Sequence, residues 1–264
     1  MHRLKQVICG LALSAVAQLT LADQAKKTIV IAGDDYCPLS CNPASGQNGF
    51  AYEFAQQLYG QLGWEVRYEF VPFQRALKYF KEGRVDLIPG AAKDDNPHFA
   101  QAALSSVAVM SPRMCFYTRA QETWTYQSTA SLLQGRLGVI AGYFYWPELL
   151  SYIAQHQNDG KVDSIAADNP IELSMRKLKA GRFDYFAELR PAVEYQLMKL
   201  RMKEAIREAN CVLSLPLHMA FRPDFAGAKE LNAHWDKHYL QFLKSPQGIA
   251  ILQKYGLSIK SIME

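Results

Sequence analysis

The order strand, helix, strand, helix, strand runs twice along this sequence, and that repetition leaves few folds open. Thr28 to Gly33 (TIVIAG) reads as a short buried strand. Asp34 to Asn48 is a loop rich in Asp, Pro, Ser, Asn and Gly. Phe50, Phe54, Leu58 and Leu62 then recur at helical spacing up to Gly63. Trp64, Val66, Tyr68 and Phe70 alternate along a second strand, Trp64 to Val71. Phe73, Ala76, Leu77 and Phe80 share one face of a second helix closed by Gly83, and Val85 to Ile88 is a third strand. The pattern then restarts. Arg136 to Ile140 is a strand, Pro147 to Gln155 a helix and Val162 to Ala166 a strand. Asn169 is placed as an N-cap, with Pro170 at the first helical position and Glu172 three residues after the cap, as in a capping box. Ile171, Met175 and Leu178 form that helix's apolar stripe, Gly181 ends it, and Phe183 to Ala187 is the last strand of the run. Helices between successive strands call for parallel sheets, so the sequence predicts an α/β fold with two units of similar size.

Two segments, Ser111–Arg119 and Ser214–Arg222, read as extended and flank the second unit. Beyond them Leu231, Trp235, Tyr239 and Phe242 form a helical stripe, and Ser245-Pro246 opens a short helix through Tyr255 to Gly256. If these helices pack back on the first unit, that unit is discontinuous. Lobe 1 is then residues 23–112 and 215–264, lobe 2 is residues 113–214 with the hinge strands, and the extended segments cross between them.

The first 22 residues stand apart. Arg3 and Lys5 precede the mostly apolar run Val7 to Ala17, and Thr20 and Ala22 occupy the −3 and −1 places before a cut. This is the pattern of a secretory signal peptide, so a periplasmic location is expected. The apolar run is too short for a comfortable membrane span, and Cys9 inside it comes too early for a lipoprotein cut. Removal of Arg3 and Lys5 leaves 27 basic against 25 acidic residues, a net charge of +2 instead of +4. With no basic cluster interleaved with aromatics, nucleic acid is not an expected partner. The sequence lacks a G-x-S-x-G elbow, a phosphate-binding G-x-x-x-x-G-K-[ST] loop and an H-E-x-x-H helix. His234 and His238, four apart beside an apolar stripe, read as surface residues, and no metal or cofactor is expected. A carboxylate acid–base pair among Asp34, Asp35, Glu148 and Glu188 is the enzymatic alternative.

Four cysteines follow the leader: Cys37, Cys41, Cys115 and Cys211. An even number in an exported chain suggests two disulfides, with three possible pairings. Cys37–Cys41, closing a small loop around Pro38, is favoured. Cys-x3-Cys without a matching second pair is a weak zinc signature.

The segments TIVIAG, GFAYEFAQQLYGQLGWEVRYEF, FQRALKYFKEGRVDLIPGAA, GRLGVIAGY, LKAGRFDYFAEL and SPQGIAILQKYGLS follow one another in the order of a known family. The chain resembles the bacterial family 3 extracellular solute-binding proteins, the fold of amino-acid-binding periplasmic receptors. The resemblance implies a periplasmic-binding-protein-like type II fold, two α/β lobes joined by a two-strand hinge, with ligand in the interlobe cleft. It implies a monomer that captures a small polar solute, an amino acid or a related small organic molecule, for an inner-membrane ABC permease. A ligand sensor acting in trans on a membrane receptor, and a dehydratase-like enzyme on the same fold, are the alternatives. The family's hinge strands lie side by side, which here implies that Ser111–Arg119 neighbours Ser214–Arg222 and that Cys115 pairs with Cys211.

Ligands of open α/β sheets sit beyond the carboxyl ends of strands and at helix amino ends. That rule selects Asp34, Asp35 and Tyr36 after the first strand, Phe73 and Arg75 after the second, and Gly90, Ala91, Lys93 and Asp94 after the third. In the second unit it selects Gly142, Tyr143, Phe144, Tyr145 and Trp146, then Asn169, then Glu188 and Arg190. Arg75 leads this set, because a guanidinium fork binds a carboxylate or phosphate through two parallel hydrogen bonds. The consecutive aromatics can stack on a flat or cationic ligand, and Asp34, Asp35 and Glu188 can receive an amine. The amino-acid receptors of the family usually carry Thr-x-x-Arg after the third strand, where this chain has AAKDDNPHFA and Lys93 is the nearby cation. Their amine-binding Asp falls on Leu189, with Glu188 one place earlier. Both anchors are missing or displaced, which points to a different ligand or a rewired clamp.

Overall fold

A computed structural model of the protein describes residues 27–93 and 97–263. The expected signal peptide, Cys9 and Asp94 lie outside the described residues. The first run forms β1 (Thr28–Gly33), α1 (Phe50–Gly60), β2 (Glu65–Phe70), α2 (Phe73–Lys81) and β3 (Leu87–Ala92). The short β4 (Ala103–Leu104) and then β5 (Arg113–Arg119) lead to the second run. That run is β6 (Leu137–Ile140), α3 (Pro147–His156), β7 (Val162–Ile165), α4 (Pro170–Lys179) and β8 (Tyr185–Leu189). After it come α5 (Arg190–Lys199), β9 (Ile206–Ser214), β10 (Leu217–Phe221), α6 (Ala228–Leu243), α7 (Pro246–Lys254) and α8 (Ile259–Met263).

The strands form two five-stranded sheets, ordered β2-β1-β3-β10-β4 and β7-β6-β8-β5-β9. Within each, the three strands joined by helices are parallel and the next strand is antiparallel to them. The helical crossovers impose this, since a parallel return needs a dozen or more residues. β1, whose side chains on both faces are largely covered, is the apolar run expected of a central parallel strand. The two α/β lobes expected from the repetition are therefore present.

The C-terminal helices close on the first lobe. Leu231, Trp235 and Tyr239 of α6 are fully buried, and their rings meet α1 with Phe54–Tyr239 at 5.8 Å and Tyr59–Trp235 at 6.1 Å. Both polar tips are satisfied on the chain leaving β4: Trp235 Nε1 donates to the Val107 carbonyl at 3.2 Å and the Tyr239 hydroxyl to that of Val109. α7 starts on Ser245, whose Oγ accepts from the Gly248 amide at 3.1 Å, with Pro246 at its first position.

Three local expectations change. The segments Ser111–Arg119 and Ser214–Arg222 do not pair along their lengths. β5 pairs with β9 and β10 with β3, because each belongs to a different sheet. The chain crosses between lobes at residues 109–112 and 215–217, and the two segments lie together only there and at the adjoining Arg113–Ser214 pair. The Leu217 amide donates to the Met110 carbonyl at 2.8 Å and the Leu215 amide to that of Pro112 at 2.9 Å. Cys115–Cys211 does form, at the bulged start of the β5–β9 pair, as does Cys37–Cys41. The capping box at α4 does not: Asn169 makes no side-chain cap, and Glu172 pairs instead with Arg176 at 2.9 Å. The third strand runs later than expected, over Leu87–Ala92, because its small residues pair with β10.

Candidate functional site

Both lobes turn the carboxyl ends of their parallel strands toward a common gap. After β1 the chain folds into a tight loop. The Asp34 carbonyl accepts from the Tyr36 amide at 2.8 Å and from Ser40 Oγ at 3.0 Å, and Tyr36 and Ser40 form an antiparallel bridge. The Cys37–Cys41 disulfide closes that loop. The amides of Phe50 and Ala51, which open α1, donate to the carbonyls of Pro38 and Leu39 at 3.0 and 3.2 Å. The loop thereby satisfies two of the helix's first four amides. Close approach demands glycine here, since a Cβ on Gly33 would come within 2.7 Å of the Ser40 Cβ.

In the facing lobe Gly142 turns the chain after β6 at φ +79°, in the left-handed region that suits glycine. Tyr143 follows it. The Tyr145 hydroxyl accepts from the Ile140 amide at 2.9 Å and fixes the turn. Glu188 lies near the end of β8, opposite Cys115 of β5.

Two reciprocal hydrogen bonds join the lobes. The Tyr143 hydroxyl of lobe 2 donates to Asp34 Oδ2 of lobe 1 at 2.7 Å. The Tyr36 hydroxyl of lobe 1 donates to Glu188 Oε1 of lobe 2 at 2.6 Å. The Tyr143 ring stands edge-on to Tyr36 and Phe73, each at 5.3 Å. These groups surround a cavity of about 70 Å³, also lined by Leu39, Ser40, Gly90, Met114 and Phe144. A second cavity of about 260 Å³ lies beside it, sharing Asp34, Phe73 and Tyr143 and adding Gln74 and Asp168.

The carboxyls are sealed from water: Asp34 is 5 % exposed and Glu188 2 %. Burial raises the Asp34 pKa to about 6, against the pull of the Tyr143 hydrogen bond. Burial likewise raises Glu188 to about 7, against hydrogen bonds from Tyr36 and the Leu189 amide. Burial first, and the neighbouring carboxylates second, push both phenols far up, so Tyr36 and Tyr143 remain donors.

Asp34, Tyr36, Phe73, Gly90, Tyr143, Phe144 and Glu188 are thus brought together at the cavity. Tyr145 lines it too, and the remaining expected residues among those described are placed elsewhere. Arg75 is exposed on α2 and lines neither cavity, because Phe73 takes the cleft-facing position and Ala76, Leu77 and Phe80 the core-facing ones. Asp35 is buried but lines neither cavity, its Oδ1 accepting from the Asn42 amide at 3.3 Å. Ala91 faces the opposite side of β3 from the cavity, in the cluster with Leu77 and Phe80. Lys93 and Asn169 are exposed and line neither cavity. Trp146 is in the lobe 2 core, edge-on to Phe116 at 5.9 Å. Arg190 is engaged by Glu208 through two bonds of 2.9 Å. His234 packs on His238 at 4.4 Å on α6, away from the cleft, and its Nε2 meets Gln61 Oε1 at 3.1 Å. Sequence reasoning did not select Leu39, Ser40 or Met114. The disulfide-closed loop was the signal for the first two.

Solved structures share this architecture. The chain is similar to a histidine kinase sensor domain with similarity to periplasmic binding proteins, at 18% identity over 90% of this chain and 99% of that one (TM-score 0.72). It is also similar to an ABC uptake transporter substrate-binding protein from Streptococcus pneumoniae with bound histidine, at 16% identity, 86% and 92% coverage and a TM-score of 0.69. An ancestral arginine-binding protein bound to arginine gives 17% identity, 86% and 97% coverage and a TM-score of 0.66. At these identities the likeness establishes the fold. No curated protein matches the sequence. The family profile of the bacterial extracellular solute-binding proteins, family 3, matches residues 28–255, nearly all of the described chain, and the protein belongs to that family.

Proposed function

We propose that this protein is a periplasmic receptor that binds a small polar solute between its lobes and delivers it to an inner-membrane ABC permease without altering it. The observation that carries the reading is the pair of reciprocal cross-lobe bonds, Tyr143 to Asp34 and Tyr36 to Glu188, enclosing a cavity at the carboxyl ends of both sheets. A clamp of this kind closes on its ligand, and the ligand shifts the open–closed equilibrium by its better fit to the closed form. The proposed lobes are residues 23–112 with 215–264, and residues 113–214. The proposed ligand-contacting set is Asp34, Tyr36, Phe73, Gly90, Tyr143, Phe144 and Glu188. Export through a cleaved leader of residues 1–22 fits the family's extracellular location. Ligand sensing in trans on a membrane partner is a second reading, favoured by the likeness to a kinase sensor domain.

A thermal-shift screen against amino acids, amines, organic acids, sugars and short peptides tests the binding role. A ligand at 100 times its Kd adds about 2.7 kcal/mol and raises the melting temperature measurably. A panel with no stabilising compound sinks the receptor reading. A hit followed by co-purification of a permease or of a sensor decides between the two destinations.

A further inference from the structure

One carboxylate oxygen narrows the chemistry of the ligand. Glu188 Oε1 accepts both the Tyr36 hydroxyl and the Leu189 amide, each at 2.6 Å. Glu188 Oε2 is buried with no hydrogen-bonding partner among the described residues. Ionised, that oxygen lacks a donor. Protonated, its O–H lacks an acceptor. Buried polar atoms are nearly always paired, so an orphan on a cavity wall marks a place for a ligand atom.

The surroundings fix the sign of that atom. Asp34 supplies a second buried carboxylate to the same cavity, and Asp168 a third acidic group to the neighbouring one. Among the described residues lining either cavity there is no Lys, Arg or His. The phenols of Tyr36 and Tyr143 donate to the carboxylates and are not left to hold an anion. Aromatic rings complete the wall: Tyr36, Phe73, Tyr143 and Phe144. Paired acids among aromatic rings attract a cation through charge and through the ring faces.

We infer that the cleft binds a small organic cation, an amine that carries no carboxylate, with its ammonium group donating to Glu188 Oε2 and shared with Asp34 across the gap. The inference rests on the reading of the cleft as the ligand site and names the class of solute. A ligand carboxylate would meet two acids and no basic side chain there. Because burial holds both carboxyls toward the neutral form, an entering cation displaces protons, and binding strengthens as pH rises.

Pairs of compounds that differ by one carboxylate provide the test: ethanolamine with L-serine, putrescine with L-ornithine, agmatine with L-arginine and histamine with L-histidine. The full chain, expressed for export and purified, is titrated with each by calorimetry at pH 5.0 and 7.5. At least one amine is expected to bind tenfold or more tightly than its amino acid, with a further tenfold gain between the two pH values. Glu188→Gln is expected to weaken that binding at least tenfold. Asp34→Asn provides the same readout should the first variant not fold. A tighter grip on an amino acid than on its amine overturns the inference. So does a loss with Arg75→Ala as large as with Glu188→Gln. If every amine fails while a sugar, acid or peptide stabilises the protein, the cleft remains a ligand site and the cation inference falls. Silence across the whole panel sinks both.

Discussion

Asp34 and Glu188 couple folding to pH. Their folded-state values of about 6 and 7 lie above the ordinary 3.8 and 4.5, so between these limits the folded chain holds protons that the unfolded chain has released. Their contribution to stability is therefore fullest below pH 4, declines as pH rises toward 7, and is constant above it. The titratable groups that bear on them are each other, Asp35, Tyr36 and Tyr143, with Tyr68 near Asp34 and Tyr117 and Tyr145 near Glu188. Urea unfolding of the ligand-free protein at pH 4, 5.5 and 7.5 should show this decline, and the Asp34→Asn, Glu188→Gln double variant should flatten it. An unchanged slope in that variant would place the pH dependence elsewhere. At this scale the sequence was informative about position and poor on direction. The strand-end rule reached Asp34, Tyr36, Tyr143 and Glu188 because strand ends are legible from hydrophobic runs. It also selected Arg75, because which way a side chain leaves the first turn of a helix depends on a packing partner in another lobe. The pairing of each phenol with the opposite lobe's carboxylate has no local signature at all.

Among the elements, the turn after β6 is a point of close approach between the lobes. A Cβ on Gly142 would collide with the Gln74 side chain at the start of α2 in the facing lobe. Gly142→Ala should raise the Kd of any cleft ligand at least tenfold, and adding Gln74→Ala should recover part of the loss. No recovery in the double variant would assign the effect to backbone strain at φ +79° instead. The β5–β9 pair is braced by a disulfide spanning 96 residues of sequence. Removing it with Cys115→Ser and Cys211→Ser together should cost roughly 2–5 kcal/mol of stability, read as a lower urea midpoint. β9 itself was hidden in the sequence. Two register shifts against β5, with Asn210 at φ +128° between them, break the alternation that reveals a strand. α5 was hidden because its buried residues, Pro191, Ala192, Val193 and Gln196, make no apolar stripe. The two α/β runs were legible because their helices and strands each bury one regular face.

Over the whole molecule the crossing segments are short and the lobes are large, so the expected motion is rigid-body closure about residues 109–112 and 215–217. Small-angle scattering should show the radius of gyration of the ligand-free protein rise when Tyr36→Phe and Tyr143→Phe remove these two cross-lobe bonds and Tyr195→Phe removes a third, from its hydroxyl to Gln47 Oε1 at 3.0 Å, and fall again with saturating ligand. A radius indifferent to both changes would mean that the phenols do not hold the lobes together. The two crossings have another consequence, for biogenesis. β10 lies between β3 and β4 in the first sheet although more than a hundred residues separate it from either. A chain delivered amino-end first has every strand of the second sheet in hand by Ser214, while the first sheet still lacks its inner antiparallel strand and α6. Of the two sheets, the one begun first is the one finished last. Until β10 and α6 arrive, the apolar edge of β3 stands open to any chaperone, or to any other half-made copy, that meets it.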